Sequence, residues 1–196
     1  MYWAILATGP SMSQAVADSV RGRCKVAAVS DAYRLAPWAD VLVSADRKWW
    51  DYHQPIYDGP RYSAVETRGV ERFKGAISGE NSTLLAMKVA VSLGARRLLL
   101  LGVDMQGSHF FGPHHEPRWN TKPERFEVFK RQFAEYRPKG VEIFNCNEAS
   151  GLRCYPMARL EEVLDDSESK DRHNDVSGVQ RLRGVRVGAS PRHVRD

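Results

Sequence analysis

The chain has 196 residues, a formal net charge of +5, 42% hydrophobic and 27% charged residues, which is the size of one domain and the balance of an ordinary globular one. No apolar run nears the ~20 residues of a membrane helix, nothing reads as a secretory signal, and Cys24, Cys146 and Cys154 form neither an even disulfide set nor a CxxC pair. Membrane-spanning and disulfide-scaffold classes are thereby excluded, and a reducing, cytoplasmic setting is expected.

Residues 2–7, YWAILA, are nearly all apolar and predict a strand buried on both faces. Gly9-Pro10 breaks the run. Ser11 then reads as the N-cap of a helix over 11–21, with Met12, Val16 and Val20 on one face. KVAAVS (25–30) and ADVLVSAD (39–46) predict two further strands. DAYRLAPWA between them reads as a short helix and loop. Residues 47–81 show no clear period. They predict a long, partly ordered segment with one short strand near Tyr62–Glu66.

Regular structure resumes at 81–95, NSTLLAMKVAVSLGA, a helix buried on most sides, capped by Asn81 or Ser82 and ended by Gly94. RRLLLLGVDM is the most apolar strand of the chain. Residues 122–140 predict an amphipathic helix in which Phe126, Phe129, Phe133 and Tyr136 recur at helical spacing. VEIFNCN is a last strand and ARLEEVL (158–164) a short helix. From Asp165 the composition turns polar and charged, as in a flexible tail. The expected organisation is a domain over 1–164 and a tail over 165–196, whose arginines offer a contact for an acidic partner or nucleic acid.

Alternating strands and helices imply an α/β fold with a mostly parallel sheet. Ligands of such folds bind beyond the carboxyl ends of the strands. That rule gathers Gly9, Pro10 and Ser11, then Asp31, then Asp46, Arg47 and Lys48, then Asp104 through His109. The glycine turn suits a phosphate lying against the N–H groups of Ser11 and Met12, or it is a plain strand-to-helix turn. Asp31, Asp46 and Asp104 are candidates for ribose hydroxyls or a hard metal ion. His109 is a candidate for phosphate contact or proton transfer. With Asp104, His114, His115 and Glu116 it also makes a Zn²⁺ site imaginable, though the spacing matches no standard signature. Trp49, Trp50 and Tyr52 offer rings for stacking or for the core. SGENS (78–82) offers a second anion site at Asn81 and Ser82, or simple helix capping.

The series GPS, SDAYRLAPWAD, DRKWW, SGENS and LGARRLLLLGVDM with a following HFFG resembles small prophage-type proteins of the MptE-like group, named for 6-hydroxymethylpterin diphosphokinase. It is distantly similar to family-42 sialyltransferases. The resemblance spans roughly residues 1–160. It implies a Rossmann-like three-layer fold, and a nucleotide or nucleotide-sugar held at Gly9, Pro10, Ser11 and Asp31. It further implies transfer of a diphosphate or phosphoryl group from ATP, with Mg²⁺ on Asp46 and Asp104 and His109 against the leaving phosphate; Lys48, read from its own position after the third strand, is the cation expected beside it. The sialyltransferases' general-base histidine has no counterpart, because no histidine occurs between Trp119 and Leu164. A small-molecule acceptor is the other expected partner. A non-catalytic phage protein that binds a nucleotide or another protein is the alternative.

Overall fold

The computed structural model describes residues 1–77, 79–114 and 120–165. Seven strands form one all-parallel sheet in the order β5-β4-β3-β2-β1-β6-β7. They are β1 (Tyr2–Leu6), β2 (Lys25–Val29), β3 (Val41–Val43), β4 (Arg61–Ser63), β5 (Glu71–Arg72), β6 (Arg97–Leu101) and β7 (Glu142–Asn145). The helices are α1 (Gln14–Ser19), α2 (Arg47–His53), α3 (Ser82–Ser92) and α4 (Pro123–Glu135). The expected α/β, Rossmann-like fold with its parallel sheet is therefore found. The chain divides into two units, Met1–Leu160 and Glu161–Asp196. Residues 161–165 of the second are helical, and the expectation of a tail beyond them lies outside the described residues.

The centre of the sheet is the most apolar part because parallel strands are covered on both faces. β6 is buried at all five positions, and it pairs with β1 from Tyr2–Arg97 through Leu6–Leu101. α3 covers this centre and buries Thr83 through Met87, Val89 and Ala90. Its apolar residues go nearly all the way round, as in a helix enclosed by its own domain. Asn81 caps it by accepting from Thr83 N at 2.8 Å. α4 is different: only Phe133 is fully buried in it, and its Phe126 and Phe129 pack at the rim of the core. At the outer strand, Arg97 and Glu142 pair at 2.6 Å across the β6–β7 register.

Three local expectations need correction. The first helix begins at Gln14 with Ser13 as its N-cap, Ser13 Oγ accepting from Val16 N at 3.3 Å. Residues 9–12 form a turn closed by Met12 N donating to Gly9 O at 3.0 Å. The third strand is only three residues long, and Asp46 caps α2 by accepting from Lys48 N at 2.8 Å. The segment read as only partly ordered contains α2 and the edge strand β5 as well as the short strand expected near Tyr62–Glu66, found as β4.

Strand order reverses at β1. The chain steps outward from β1 to β5, then crosses back to place β6 on the other side of β1. Such a switch point opens a crevice at the carboxyl ends of the strands.

Candidate functional site

The crevice has two lobes that meet over the end of β1. One, of about 370 Å³, lies toward β6 and is bordered by Gly9, the 102–109 loop and Phe126. The other, of about 410 Å³, lies toward β2 and β3 and is bordered by Ser30, Asp31, Asp46, Trp49 and His114. Thr8, Asn81, Thr83, His109, Thr121 and Phe129 border both. Each volume is within the range of small-molecule sites, roughly 300–1,000 Å³.

Asp104 organises the β6 lobe. Its carboxylate accepts from Ser11 N at 3.2 Å and from Ser11 Oγ at 2.9 Å through Oδ2, and from Asn147 Nδ2 through Oδ1. Asn147 also donates to Ser11 Oγ at 3.1 Å. Turns that follow β1, β6 and β7 are thus fastened to one side chain, which is 5% exposed. Gly9 is required at this point: a Cβ there would lie 1.9 Å from Asp104 Oδ2 and 2.5 Å from Gly102 O. The loop after β7 braces the loop after β6 further, with Gly151 N donating to Asp104 O at 2.7 Å and Gln106 Nε2 to Ala149 O at 2.6 Å.

This arrangement corrects the expected phosphate seat at the glycine turn. The N–H of Ser11 is engaged by Asp104 and that of Met12 by Gly9 O, so an internal carboxylate already occupies the place of the anion. Gly9 borders the β6 lobe, whereas Pro10 and Ser11 border neither.

The β2 lobe is built from side chains. Ser30 takes a left-handed φ of 46° directly after β2, and its hydroxyl donates to Ser44 Oγ at 3.0 Å. Ser82 Oγ accepts from Ala45 N at 2.9 Å, joining the start of α3 to the end of β3. Asp31, 3% exposed, accepts from Trp49 Nε1 at 2.8 Å and pairs with Arg34 at 3.2 Å. Trp49 and Trp50 are both buried, and Trp50 Nε1 donates to Ser44 O at 2.9 Å. Asp31 is therefore committed to anchoring α2, and its expected ribose contact has to compete with these bonds. Asn81 and Ser82 both border this lobe.

Lys48 is exposed and borders neither lobe. The inward side of α2 is taken by Trp49 and Trp50, so the expected crevice cation is not supplied from there. Asp46 borders the β2 lobe and Asp104 the β6 lobe. Because the two acids border different lobes and Asp104 already accepts from three internal donors, the pair does not fit a shared Mg²⁺ site. Among the described residues no group of three or more His, Cys, Asp and Glu is gathered as a metal site. His109 and His114 do lie together, their rings 4.7 Å apart, while His115 and Glu116 of the imagined Zn²⁺ site lie outside the described residues.

His109 stands between the lobes. Its Nδ1 lies 3.0 Å from Thr8 Oγ1, and its ring stacks on Phe111 with centroids 4.9 Å apart. Burial and the neighbouring His114 hold its pKa below the usual imidazole value, opposed more weakly by Thr8 and Asp31. The imidazole is thus neutral near pH 7 and able to accept a proton. Nδ1 is tied to Thr8, so Nε2 is the nitrogen free for chemistry among the described contacts.

Asn147, Thr83 and Arg125 are crevice or clamp residues that sequence reasoning missed. Asn147 was read as the end of the last strand, which stops two residues earlier, at Asn145. Thr83 and Arg125 sit on helices and fall outside any rule about strand ends.

No helix among the described residues is long and apolar enough to cross a membrane. No protein-family model matches the chain, and no curated protein or solved structure matches it.

Proposed function

We propose that the crevice binds an activated nucleotide, either a nucleoside polyphosphate or a nucleotide-sugar, and transfers a group from it to a hydroxyl-bearing acceptor. The observation that carries this reading is the position of His109, a neutral imidazole bordering both lobes at the switch point of a parallel sheet. One lobe takes the donor and the other the acceptor. The acceptor oxygen bonds to the transferred group as the bond to the leaving phosphate breaks, and its proton passes to His109 Nε2. Thr8 fixes the ring through Nδ1. Most of the acceleration comes from holding the two ligands in line across the junction. The MptE-like residue series adds support for the nucleotide but does not choose between ATP and a nucleotide-sugar. No step is routed through a metal ion on Asp46 and Asp104.

Thermal shift against nucleoside polyphosphates and nucleotide-sugars tests the reading. A ligand at about 100 times its Kd adds ~2.7 kcal/mol, which raises Tm by about 5–10 °C for a chain of this size. His109→Asn should keep that shift and lose turnover by about 10²-fold or more. The reading is overturned if no nucleotide or nucleotide-sugar raises Tm. Binding with turnover unchanged in His109→Asn removes the histidine from the chemistry.

A further inference from the structure

Among the described residues, Arg125 is the only Lys or Arg that borders either lobe. It is exposed, in the first turn of α4, and it borders the β2 lobe. Nη2 donates to Gly79 O at 3.1 Å, and the guanidinium lies over Phe129 with 5.2 Å to the ring centroid. Neither partner carries a negative charge, so the guanidinium keeps its full charge and most of its five donors. A cation in the first turn also opposes the helix dipole, so helix stability does not account for it.

The acids of the same lobe are in a different position. Asp31 is paired with Arg34 and bonded to Trp49. The Glu80 carboxylate is paired with Lys88. Only Asp46 keeps an exposed carboxylate, engaged by the backbone N–H of Lys48. Arg125 and Asp46 together give the β2 lobe a site for an anion beside a site for hydrogen-bond donors such as hydroxyls. The β6 lobe has no described cation, and its acid, Asp104, is consumed internally. What remains there is uncharged: Thr83, Gln106, Asn120 and the ring of Phe126.

We infer that Arg125 is the residue that recognises the anionic part of the ligand, and that the crevice divides its ligands by charge. The phosphate-bearing donor lies in the β2 lobe and the uncharged acceptor in the β6 lobe. This rests on the nucleotide reading above and adds which residue selects the phosphate. Arg125 stands in the place that Lys48 was expected to fill, and it reaches the crevice from α4.

Calorimetric titration of the full chain tests this, using inorganic pyrophosphate, the common ribonucleosides and their 5′-diphosphates. Wild type, Arg125→Gln and Arg125→Lys are compared, with circular dichroism to confirm that each is folded. Wild type should prefer diphosphate to nucleoside. Arg125→Gln should cut that preference by about tenfold or more, leave nucleoside affinity unchanged, and weaken pyrophosphate in parallel. Arg125→Lys should restore part of it, because the charge returns without the planar fork. An unchanged preference in Arg125→Gln overturns the proposal. So does an equal loss for nucleoside and diphosphate, which would mark a residue that only shapes the lobe. Arg125-dependent pyrophosphate binding without nucleotide binding would sink the nucleotide reading and leave the anion role standing. Failure of wild type to bind any of the three kinds of probe sinks both.

Discussion

On the β6 side of Thr8 the crevice wall is mostly loop backbone, the turns after β1, β6 and β7 drawn onto the carboxylate of Asp104. On the β2 side it is mostly side chains, with Trp49 joined to Asp31, Ser30 to Ser44, and the Ser82 hydroxyl to the backbone N–H of Ala45. Both walls contain a buried aspartate that follows a strand, and both aspartates are engaged within the fold. They differ in what they hold. Asp104 joins three separate turns, whereas Asp31 anchors one short helix. A strand-end acid becomes a fastening when it is buried among internal donors, and it remains open to a ligand when, like Asp46, it caps a helix at the surface.

The largest expected effect breaks the β6 wall. Asp104→Ala removes the acceptor for Ser11 N, Ser11 Oγ and Asn147 Nδ2 at once. About 3–4 kcal/mol of stability should be lost, read as a fall in Tm of about 10 °C. The β2 wall should respond more weakly. Trp49→Phe keeps an aromatic ring but removes the pyrrole portion, and with it the N–H bonded to Asp31 and some buried volume, for about 2 kcal/mol in urea denaturation. If the two variants cost the same, the contrast between a joint of three turns and an anchor of one helix is wrong.

The smallest effect is a pH dependence. Burial is the leading cause that lowers the pKa of His53 and of His109 from the ordinary 6.5. The unfolded chain then takes up protons before the folded one as pH falls. Stability is complete above the ordinary value and declines below it, until the folded-state values are passed. Tm should fall between about pH 7 and pH 5, with a shallower slope in His109→Asn. A flat Tm across that window would show that burial does not hold these rings neutral.

The strands of the sheet centre were legible because a parallel strand covered on both faces reads as an unbroken apolar run, as YWAIL and RLLLL do. α3 was legible from its caps. α2 was not, because its two buried residues, Trp49 and Trp50, are adjacent and leave no helical period in seven residues. β4, three residues long, matches the short strand expected near Tyr62–Glu66, whereas β5, two residues long, is too short to show alternation. In the crevice, the strand-end rule gathered Gly9, Asp31, Asp46, Asp104 and His109. It did not reveal that Ser11 meets Asp104 across 93 positions, or Asn147 across 136. Such pairings depend on strand order, which no local pattern encodes. They decide whether an acid serves the fold or a ligand.

The absence of a side chain at Gly9 lets the chain bring its own counter-charge to the first turn. Assembly of the β6 wall therefore does not wait for a guest to arrive. A ligand entering there meets walls already in register and gives up little conformational freedom of the host, so encounter rather than rearrangement should set how fast it docks.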